Sequence, residues 1–433
     1  MKIKSYKIVT FGCQMNLADS GTLAAMLSDN GFHPAETEEE ADLIILNTCS
    51  VRQKAEERVF GRLGELSRLK RMDSAKRIAV IGCMAQRLGP RILDRAPFVD
   101  IILGTDRIFD LPDILSTDGE IPQIHTEFGH GKFDGITPAS AEKYSAFVTV
   151  SRGCDNYCTY CIVPYVRGHL RSYRAGEIIS QINRLTREGV VEVMLLGQNV
   201  NSYRDNDIDF PHLLRHVAAE TDVKRLRFMT SHPKDLSDSL IEVMATEPKM
   251  MPHLHLPLQS GSDKILSKMG RDYTIEHYLK LVNKLKSAVP DISLTTDLIV
   301  GFPSETEVDY RMTLEAVNKV KFDSAFMFRY SVREGTAAAR WLDDVSEEEK
   351  IRRLKRLIEL QKKVSFDRNQ LEIGKIRSVL ADGYSKRSKN YIKGKTGGSK
   401  TVLFEGNADI IGKINNVKII AADSWTLHGE LVA

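Results

Sequence analysis

The sequence predicts an α/β protein in three parts: an N-terminal α/β domain built on a parallel sheet, a partial (β/α)6 barrel and a small C-terminal β-barrel. Three observations predict it. Short β-rich runs ending in sharp turns alternate with stretches of helical apolar spacing through residues 1–106. A second series of the same kind starts near residue 146, after a polar gap, and residues 371–433 hold only short β-rich runs. A chain of 433 residues is also too long for a single core.

In the first part the β-rich runs are KIVTFGC, DLIILNTC, RIAVIGC and DIILGTD, separated by helical segments such as DSGTLAAMLSDNG. Residues 107–145, with the Gly-rich stretch FGHGKFDGITPAS, read as a linker. The second part, 146–335, repeats the unit six times from AFVTVSRG through VEVMLLGQN, RLRFMTS, HLHLPLQ, ISLTTDLIVGFP and SAFMFRYS. Six units fit an open barrel better than a closed eight-unit one, with the active site at the C-terminal ends of the strands. A charged stretch, SEEEKIRRLKRLIELQKKVSFDRNQ, predicts a connecting helix within 336–370, its charges forming a solvated face. Five β-rich runs beyond it predict a small barrel of a kind that often holds nucleic acid.

Composition excludes little but directs attention. Lys and Arg total 61 against 58 Asp and Glu, so only a local basic patch could mark a nucleic-acid contact. No stretch approaches the ~18 apolar residues of a membrane span, and MKIKSYKIVTFGC lacks a secretory apolar run, so the expected location is the cytoplasm, with no membrane partner. In a reducing compartment the six cysteines are core residues, metal ligands or catalytic thiols rather than disulfides.

Cys13, Cys49 and Cys83 each stand where a strand stops, the edge at which open α/β sheets bind ligands. Any one of them reads as a buried core thiol; three at equivalent places point to a shared site. Cys154, Cys158 and Cys161 form C-x3-C-x2-C in the loop after the first barrel strand. Thiolates suit zinc or an iron–sulfur cluster. Zinc would need a fourth ligand, for which His169 is the candidate, and would explain neither the barrel nor the other three cysteines. A 4Fe-4S cluster normally takes four cysteines, so three leave one iron open to a small chelating ligand.

That loop resembles the radical S-adenosylmethionine superfamily, in which the cofactor's amino and carboxylate groups occupy the open iron. TFGCQMN, LNTCSVR, GCMAQR, SRGCDNYCTYCIVPYVRG, LLGQNVNSY, HLPLQSGSD and DLIVGFPSET together resemble its methylthiotransferase family, closest to the branch that acts on N6-isopentenyladenosine in tRNA. The resemblance implies two 4Fe-4S clusters, one on Cys154, Cys158 and Cys161 and an auxiliary one on Cys13, Cys49 and Cys83. It implies a radical that takes hydrogen from C2 of the modified adenine at tRNA position 37, and delivery of a methylthio group there. It also implies a terminal TRAM domain binding the anticodon stem-loop, an electron donor of flavodoxin-like type and a sulfur source. No catalytic residue beyond the cluster ligands is required, because an aromatic C–H offers no acidic proton to a side-chain base.

Weaker candidates surround these. By the same resemblance Tyr160 would lie beside the cofactor's adenine and Gln198 and Asn199 near its methionine amine, with Gln259, Ser260 and Gly301 at later strand ends; the amides read equally as caps of their own loops. His232 and His255 read as hydrogen-bonded histidines. Asn16 and Asn47 would tune the auxiliary cluster through hydrogen bonds or simply end strands. Tyr384, Lys386, Arg387, Lys389, Lys393 and Lys395 mix stackable rings with positive charge, as RNA binding or a solvated turn would, and Arg167 and Arg171 could add phosphate contacts or equally pair with a carboxylate of the cofactor. His169, Leu170 and Tyr173 depart from the family pattern, as do Val332 and Ala337. Two alternatives stand beside this reading. One is a sibling methylthiotransferase acting on threonylcarbamoyl adenosine in tRNA or on a ribosomal-protein aspartate, against which GCQMN argues. The other is a non-enzymatic zinc or RNA-binding protein.

Overall fold

The computed structural model describes residues 3–50, 53–117, 121–129, 143–386 and 388–432. β1 (Ser5–Thr10), β2 (His33–Pro34), β3 (Leu43–Thr48), β4 (Arg77–Gly82), β5 (Ile101–Leu103) and β6 (Gln123–His125) form one parallel sheet in the order β2-β1-β3-β4-β5-β6. β3 is buried at every position, as its unbroken apolar run requires of a strand covered on both faces. The covering helices are α1 (Gln14–Asp29), α2 (Gln53–Met72), α3 (Cys83–Leu88) and α4 (Leu111–Ser116), and an apolar cluster fills each side of the sheet.

One expectation is corrected here. Residues 107–117 and 121–125 do not belong to a linker: α4 packs under the sheet and β6 adds its sixth strand, with Gln123, Ile124 and His125 in register with Ile101, Ile102 and Leu103. A three-residue strand among polar neighbours shows too little periodicity to be read from sequence. Most of FGHGKFDGITPAS lies outside the described residues.

The barrel follows. β7 (Ser145–Thr149) leads through the two-residue strand β8 (Ser151–Arg152) into the cysteine loop, α5 (Val163–Arg167) and β9 (Arg171–Ser172), which pairs back on β8. Next come α6 (Ala175–Arg187), β10 (Glu192–Leu196), the small hairpin β11 (Arg204–Asp205) and β12 (Ile208–Asp209), α7 (Phe210–Glu220), β13 (Arg225–Phe228), α8 (Asp238–Thr246) and β14 (His253–His255). α9 (Asp263–Lys268), α10 (Ile275–Ala288), β15 (Ser293–Val300), α11 (Glu307–Val320) and β16 (Ser324–Arg329) complete it. Parallel pairing runs β7-β10-β13, then crosses by the single bridge Leu226 to Met250 into β14-β15-β16, so six strands form an open arc. One large apolar core lies between strands and helices.

α12 (Glu347–Gln370) is more than a solvated connector. It lies against β16, burying Lys350, Arg353, Leu357, Gln361 and Val364, and Arg353 donates to Glu305 at 2.8 Å. Its charged residues conceal this face because several of the buried ones are themselves charged or polar. The chain ends in a closed barrel of β17 (Ile376–Ser385), β18 (Ser388–Thr396), β19 (Thr401–Glu405), β20 (Ile414–Ala422) and β21 (Thr426–Leu431) around Val379, Ile392, Phe404 and Val417.

This small barrel docks on the N-terminal ends of the β/α strands. Arg225, buried at the start of β13, donates to the Ser378 carbonyl at 2.8 Å and the Lys395 carbonyl at 2.9 Å; Arg227 donates to the carbonyls of Thr396 and Gly397. Lys400 pairs with Asp323 and Arg377 with Asp291 at the next strand starts.

Candidate functional site

At the opposite end of the barrel, the strands' C-terminal ends meet the N-terminal domain. α1 lies over the mouth, where Met15 and Ala18 bury against Leu196 with Phe147, Met194 and Met229 packed beside them. This apolar contact seats α1 on the strand ends.

Cys13 begins α1, Cys49 follows β3 and Cys83 begins α3, so the sheet topology carries all three to one edge. Gly12, at φ +130°, makes this approach possible: a Cβ there would stand 2.7 Å from Cβ of Cys49. Asn16 and Asn47 tie the helix to the strand. Asn16 donates to Asn47 Oδ1 at 3.0 Å and to the Thr48 carbonyl at 2.9 Å, Asn47 donates back to the Asn16 carbonyl at 2.9 Å, and the Cys13 thiol donates to Asn16 Oδ1 at 3.4 Å. Both asparagines therefore brace the cysteine edge. Burial pushes the Cys83 thiol up, and Cys83 packs against Ile162 and Val166, next to Cys161 in the barrel loop.

In that loop Cys154 donates its N–H to the Gly168 carbonyl at 3.1 Å, while Thr159 is held by the Met269 and Lys268 carbonyls. Cys158 receives the Arg271 guanidinium at 3.4 Å, and burial pushes the Cys161 thiol up to about 12. Arg271 is buried and also bonds Tyr273. Arg167 is buried as well and faces the Cys83 and Cys13 thiols. Each cysteine set thus has one buried guanidinium against it. Among the described residues no three His, Cys, Asp or Glu side chains gather closely enough to hold a single metal ion.

The donor set suits a cluster better than zinc. His169 is exposed, and its Nδ1 pairs with Asp155 at 2.9 Å. A second observation concerns the mouth: Ser151 Oγ, Asn199 Oδ1, Ser231 Oγ, His232 Nε2 and Gln259 Oε1 are buried without a hydrogen-bond partner. All five follow strand C-termini. Each such atom costs about 1–3 kcal/mol unless a polar ligand or water meets it, so the mouth is prepared for a polar guest.

The other expected site residues divide. Gln198 accepts the Gly153 N–H at 2.6 Å and braces the cysteine loop. Asn199 donates to Asp235 at 2.6 Å and leaves its carbonyl oxygen to the mouth, as Gln259 does at φ +68°. Tyr160 stands edge-on to Phe302 at 6.2 Å, burial raising its hydroxyl well above its usual value. Ser260 is taken up by its own loop, accepting from Ser262 at 3.2 Å. Gly301 faces away: a Cβ there would meet Lys350 of α12 at 2.3 Å. His232 is held neutral by burial, down to about 2, and its Nδ1 accepts from Lys234. His255 bonds Thr295 at 3.0 Å.

Of two RNA contacts expected from sequence, one is corrected and the other is paired within the protein. Arg167 is 4% exposed and bonds Asp19 at 3.1 Å, so no phosphate reaches it. Arg171 forms a two-pronged pair with buried Asp106 at 2.6 and 2.7 Å. In the C-terminal barrel Tyr384, Tyr391, Lys386 and Lys393 are exposed, whereas Lys395 is half-buried and donates to Thr401 at 2.9 Å. Tyr384 and Lys393 line a cleft of about 300 Å³ with Lys143, Tyr144 and Asp382. Arg387 and the side chain of Lys389 lie outside the described residues.

Sequence reasoning missed Asp19, Arg152, Ser231 and Arg271. Asp19 and Arg152 are buried at 0% and 4% yet read as ordinary surface charges, and only the tertiary pairing reveals them. Arg152 also donates to the Tyr173 hydroxyl at 2.8 Å, which gives that departure from the family pattern a partner.

Residues 5–104 match the uncharacterized protein family UPF0004, residues 148–317 the radical SAM superfamily and residues 370–432 the TRAM domain. The chain is 47% identical to a tRNA-2-methylthio-N(6)-dimethylallyladenosine synthase of Carboxydothermus hydrogenoformans over 100% of both chains. It is 45% identical to one of Moorella thermoacetica over 99% of this chain and 98% of the relative, and 47% identical to one of Caldicellulosiruptor saccharolyticus over 100% and 93%. Among solved structures it resembles the radical S-adenosylmethionine methyltransferase TsrM of Kitasatospora setae, with cobalamin and a 4Fe-4S cluster bound, at TM-score 0.59 and 12% identity over 78% and 77% of the two chains. The cobalamin-dependent radical enzyme OxsB follows at TM-score 0.54 and 14% identity, over 83% and 56%. At these identities the likeness is one of fold.

Proposed function

The chain belongs to the tRNA-2-methylthio-N6-dimethylallyladenosine synthase family, and on that footing we propose that its two cysteine triads are the ligands of its two clusters. The activity is that of the family: a radical S-adenosylmethionine transferase, using 4Fe-4S clusters and S-adenosylmethionine, that converts N6-isopentenyladenosine in tRNA to the 2-methylthio nucleoside. Cys154, Cys158 and Cys161 would hold the cluster that works with S-adenosylmethionine, and Cys13, Cys49 and Cys83 the auxiliary one. Bound there, these groups supply a radical able to take hydrogen from an unactivated aromatic carbon, and a methylated sulfur to replace it.

The side chains supply position and dryness. Gln198 and Thr159 fix the loop that presents three thiols, and Arg271 sets a positive charge against Cys158. The buried oxygens of Ser151, Asn199, Ser231 and Gln259 are the acceptors offered to the cofactor's amine and hydroxyls, with Tyr160 as an aromatic wall. Met15 and Ala18 pack against the strand ends and would keep water from the groups held there. Tyr384, Tyr391, Lys386 and Lys393 serve the RNA of the anticodon stem-loop. A one-electron donor of flavodoxin type and a sulfur source complete the partners, and the cytoplasm is the place for all of them. Among the described residues no helix is long and apolar enough to cross a membrane.

The observation that carries the ligand assignment is that the first triad meets the loop of the second: Cys83 packs on Ile162 and Val166, and Ile162 follows Cys161 in the chain. Cys154→Ala should abolish S-adenosylmethionine cleavage, whereas Cys13→Ala should keep cleavage and lose methylthiolation, with wild type carrying about eight irons per chain. Mass spectrometry of isopentenyladenosine tRNA after anaerobic incubation with reductant reads the product. Retained methylthiolation in Cys13→Ala would sink the two-cluster assignment.

A further inference from the structure

We infer that Asp297, held by His255 on the inner wall of the barrel, is a substrate-binding residue that accepts the N6–H of the isopentenylated adenine, a role that rests on the substrate stated above. Strand alternation places it there. Leu294, Leu298 and Val300 of β15 pack in the core between strands and helices, so Thr295 and Asp297, both partly exposed, face the inside of the arc. By the same alternation β14 turns His255 inward and β16 turns Phe326 inward, because Leu254, Leu256, Ala325 and Met327 belong to the core.

The inner wall is divided by polarity. On the half made by β7, β10 and β13, Phe147, Met194 and Met229 are partly exposed and pack beside Met15 and Ala18 of α1. On the other half His255 is buried, with Nδ1 3.0 Å from the Thr295 hydroxyl and Nε2 3.5 Å from Asp297 Oδ2. Thr295 thereby fixes the ring, and the ring fixes the carboxylate. The Asp297 side chain is 29% exposed, and its backbone carbonyl accepts the Gln259 N–H at 2.8 Å, which sets it at the level of the mouth. Phe326 is 50% exposed and meets His255 edge-on at 6.0 Å, leaving an aromatic face for a base. N6-isopentenyladenosine is divided in the same way. Its N6 carries one N–H, which a carboxylate accepts, and one branched hydrocarbon, which the apolar half takes out of water.

The test uses full-length, anaerobically reconstituted wild type, Asp297→Ala and Asp297→Asn. Two anticodon stem-loop RNAs are compared, one carrying N6-isopentenyladenosine and one carrying N6-methyl-N6-isopentenyladenosine, which has no N6–H. Iron content and kcat/KM for methylthiolation are read. Wild type should prefer the first RNA by on the order of tenfold to a hundredfold. Asp297→Ala should keep wild-type iron, fall by about that factor on the first RNA and leave the second nearly unchanged, because a side chain that no longer meets the N6–H cannot register its loss. A merely structural role would slow both RNAs alike. Asp297→Asn keeps an acceptor oxygen without the charge and should retain a preference of only about twofold to tenfold. Should the alanine variant fail to fold or to hold iron, the asparagine variant decides alone, a wild-type preference overturning the inference. A wild-type preference in Asp297→Ala, or equal use of both RNAs by wild type, would overturn the inference and leave the substrate standing. Wild type that methylthiolates neither RNA would overturn the substrate and this inference with it.

Discussion

Replacing Gly153 with alanine isolates the backbone's part in presenting the barrel cysteines. Gly153 sits at φ +79°, and a Cβ there would fall 1.9 Å from the His169 carbonyl oxygen and 2.5 Å from that of Gly168. Both obstacles are backbone, so neither can rotate aside. The Gly168 carbonyl also accepts the Cys154 N–H, and Gly153 itself donates to Gln198. Left-handed backbone costs a residue with a Cβ about 1–2 kcal/mol. Overpacking adds about 1–3 kcal/mol, so the loop bearing Cys154 loses about 2–5 kcal/mol in its ligand-presenting form. At the lower bound that is roughly a thirtyfold fall in competent population. The assay is iron per chain after reconstitution together with the rate of S-adenosylmethionine cleavage. Iron should drop towards about four per chain, the auxiliary set surviving, with cleavage down at least about thirtyfold. Gly189→Ala is the control: φ is +96° there but nothing stands within 4 Å, so strain is present without the clash and iron should stay at the wild-type level. Wild-type iron and cleavage in the Gly153 variant would refute the argument.

Three further outcomes are expected. Arg225→Ala removes the side chain that donates to Ser378 and Lys395, should cost about 2–4 kcal/mol in seating the C-terminal barrel, and should expose the 370–376 junction to limited proteolysis; an unchanged digestion pattern would refute it. Burial holds His253 down to about 3, below its unfolded value near 6.5; the stability this gives is complete above pH 6.5 and is lost as pH falls from there towards 3, at about 1.4 kcal/mol per pH unit. Urea midpoints at pH 7 and pH 5 should show that loss, and His253→Gln should flatten it; a wild-type midpoint that ignores pH would count against it. Tyr384→Ala should weaken tRNA binding by about 1–3 kcal/mol with little change in salt dependence, whereas Lys393→Ala should reduce the salt slope by about one ion, both read by anisotropy titrations; the reverse pattern would contradict the roles given to ring and charge.

What could be read in the sequence was whatever repeats with a period or ends a strand. The apolar runs of β3 and β4 and the six barrel strands announce themselves because burial on both faces leaves no room for polar residues. The cysteines were legible for the same reason: each stands at a strand or loop position the pattern had already defined. β6 was not, being three half-buried residues paired on one side only. Nor was the buried face of α12, where Lys350 and Arg353 take places an apolar residue would have marked. Arg167 shows the limit most sharply. Its neighbours in sequence suggested a surface cation for phosphate, yet its partners, Asp19 and Cys83, are far away along the chain.

The C-terminal barrel sits at the strand starts, held there by Arg225 and Arg227, while the cysteine loop opens at the strand ends. Between grip and chemistry stands the height of the β/α barrel, about 17–20 Å for strands of this length. On the roles proposed for Tyr384 and Lys393, an RNA engaged at both places would have to be long enough to reach around that wall. A stem-loop cut too short would still offer its adenine to the mouth but would lose its hold at the far end, and affinity and turnover would then part company as the RNA is trimmed.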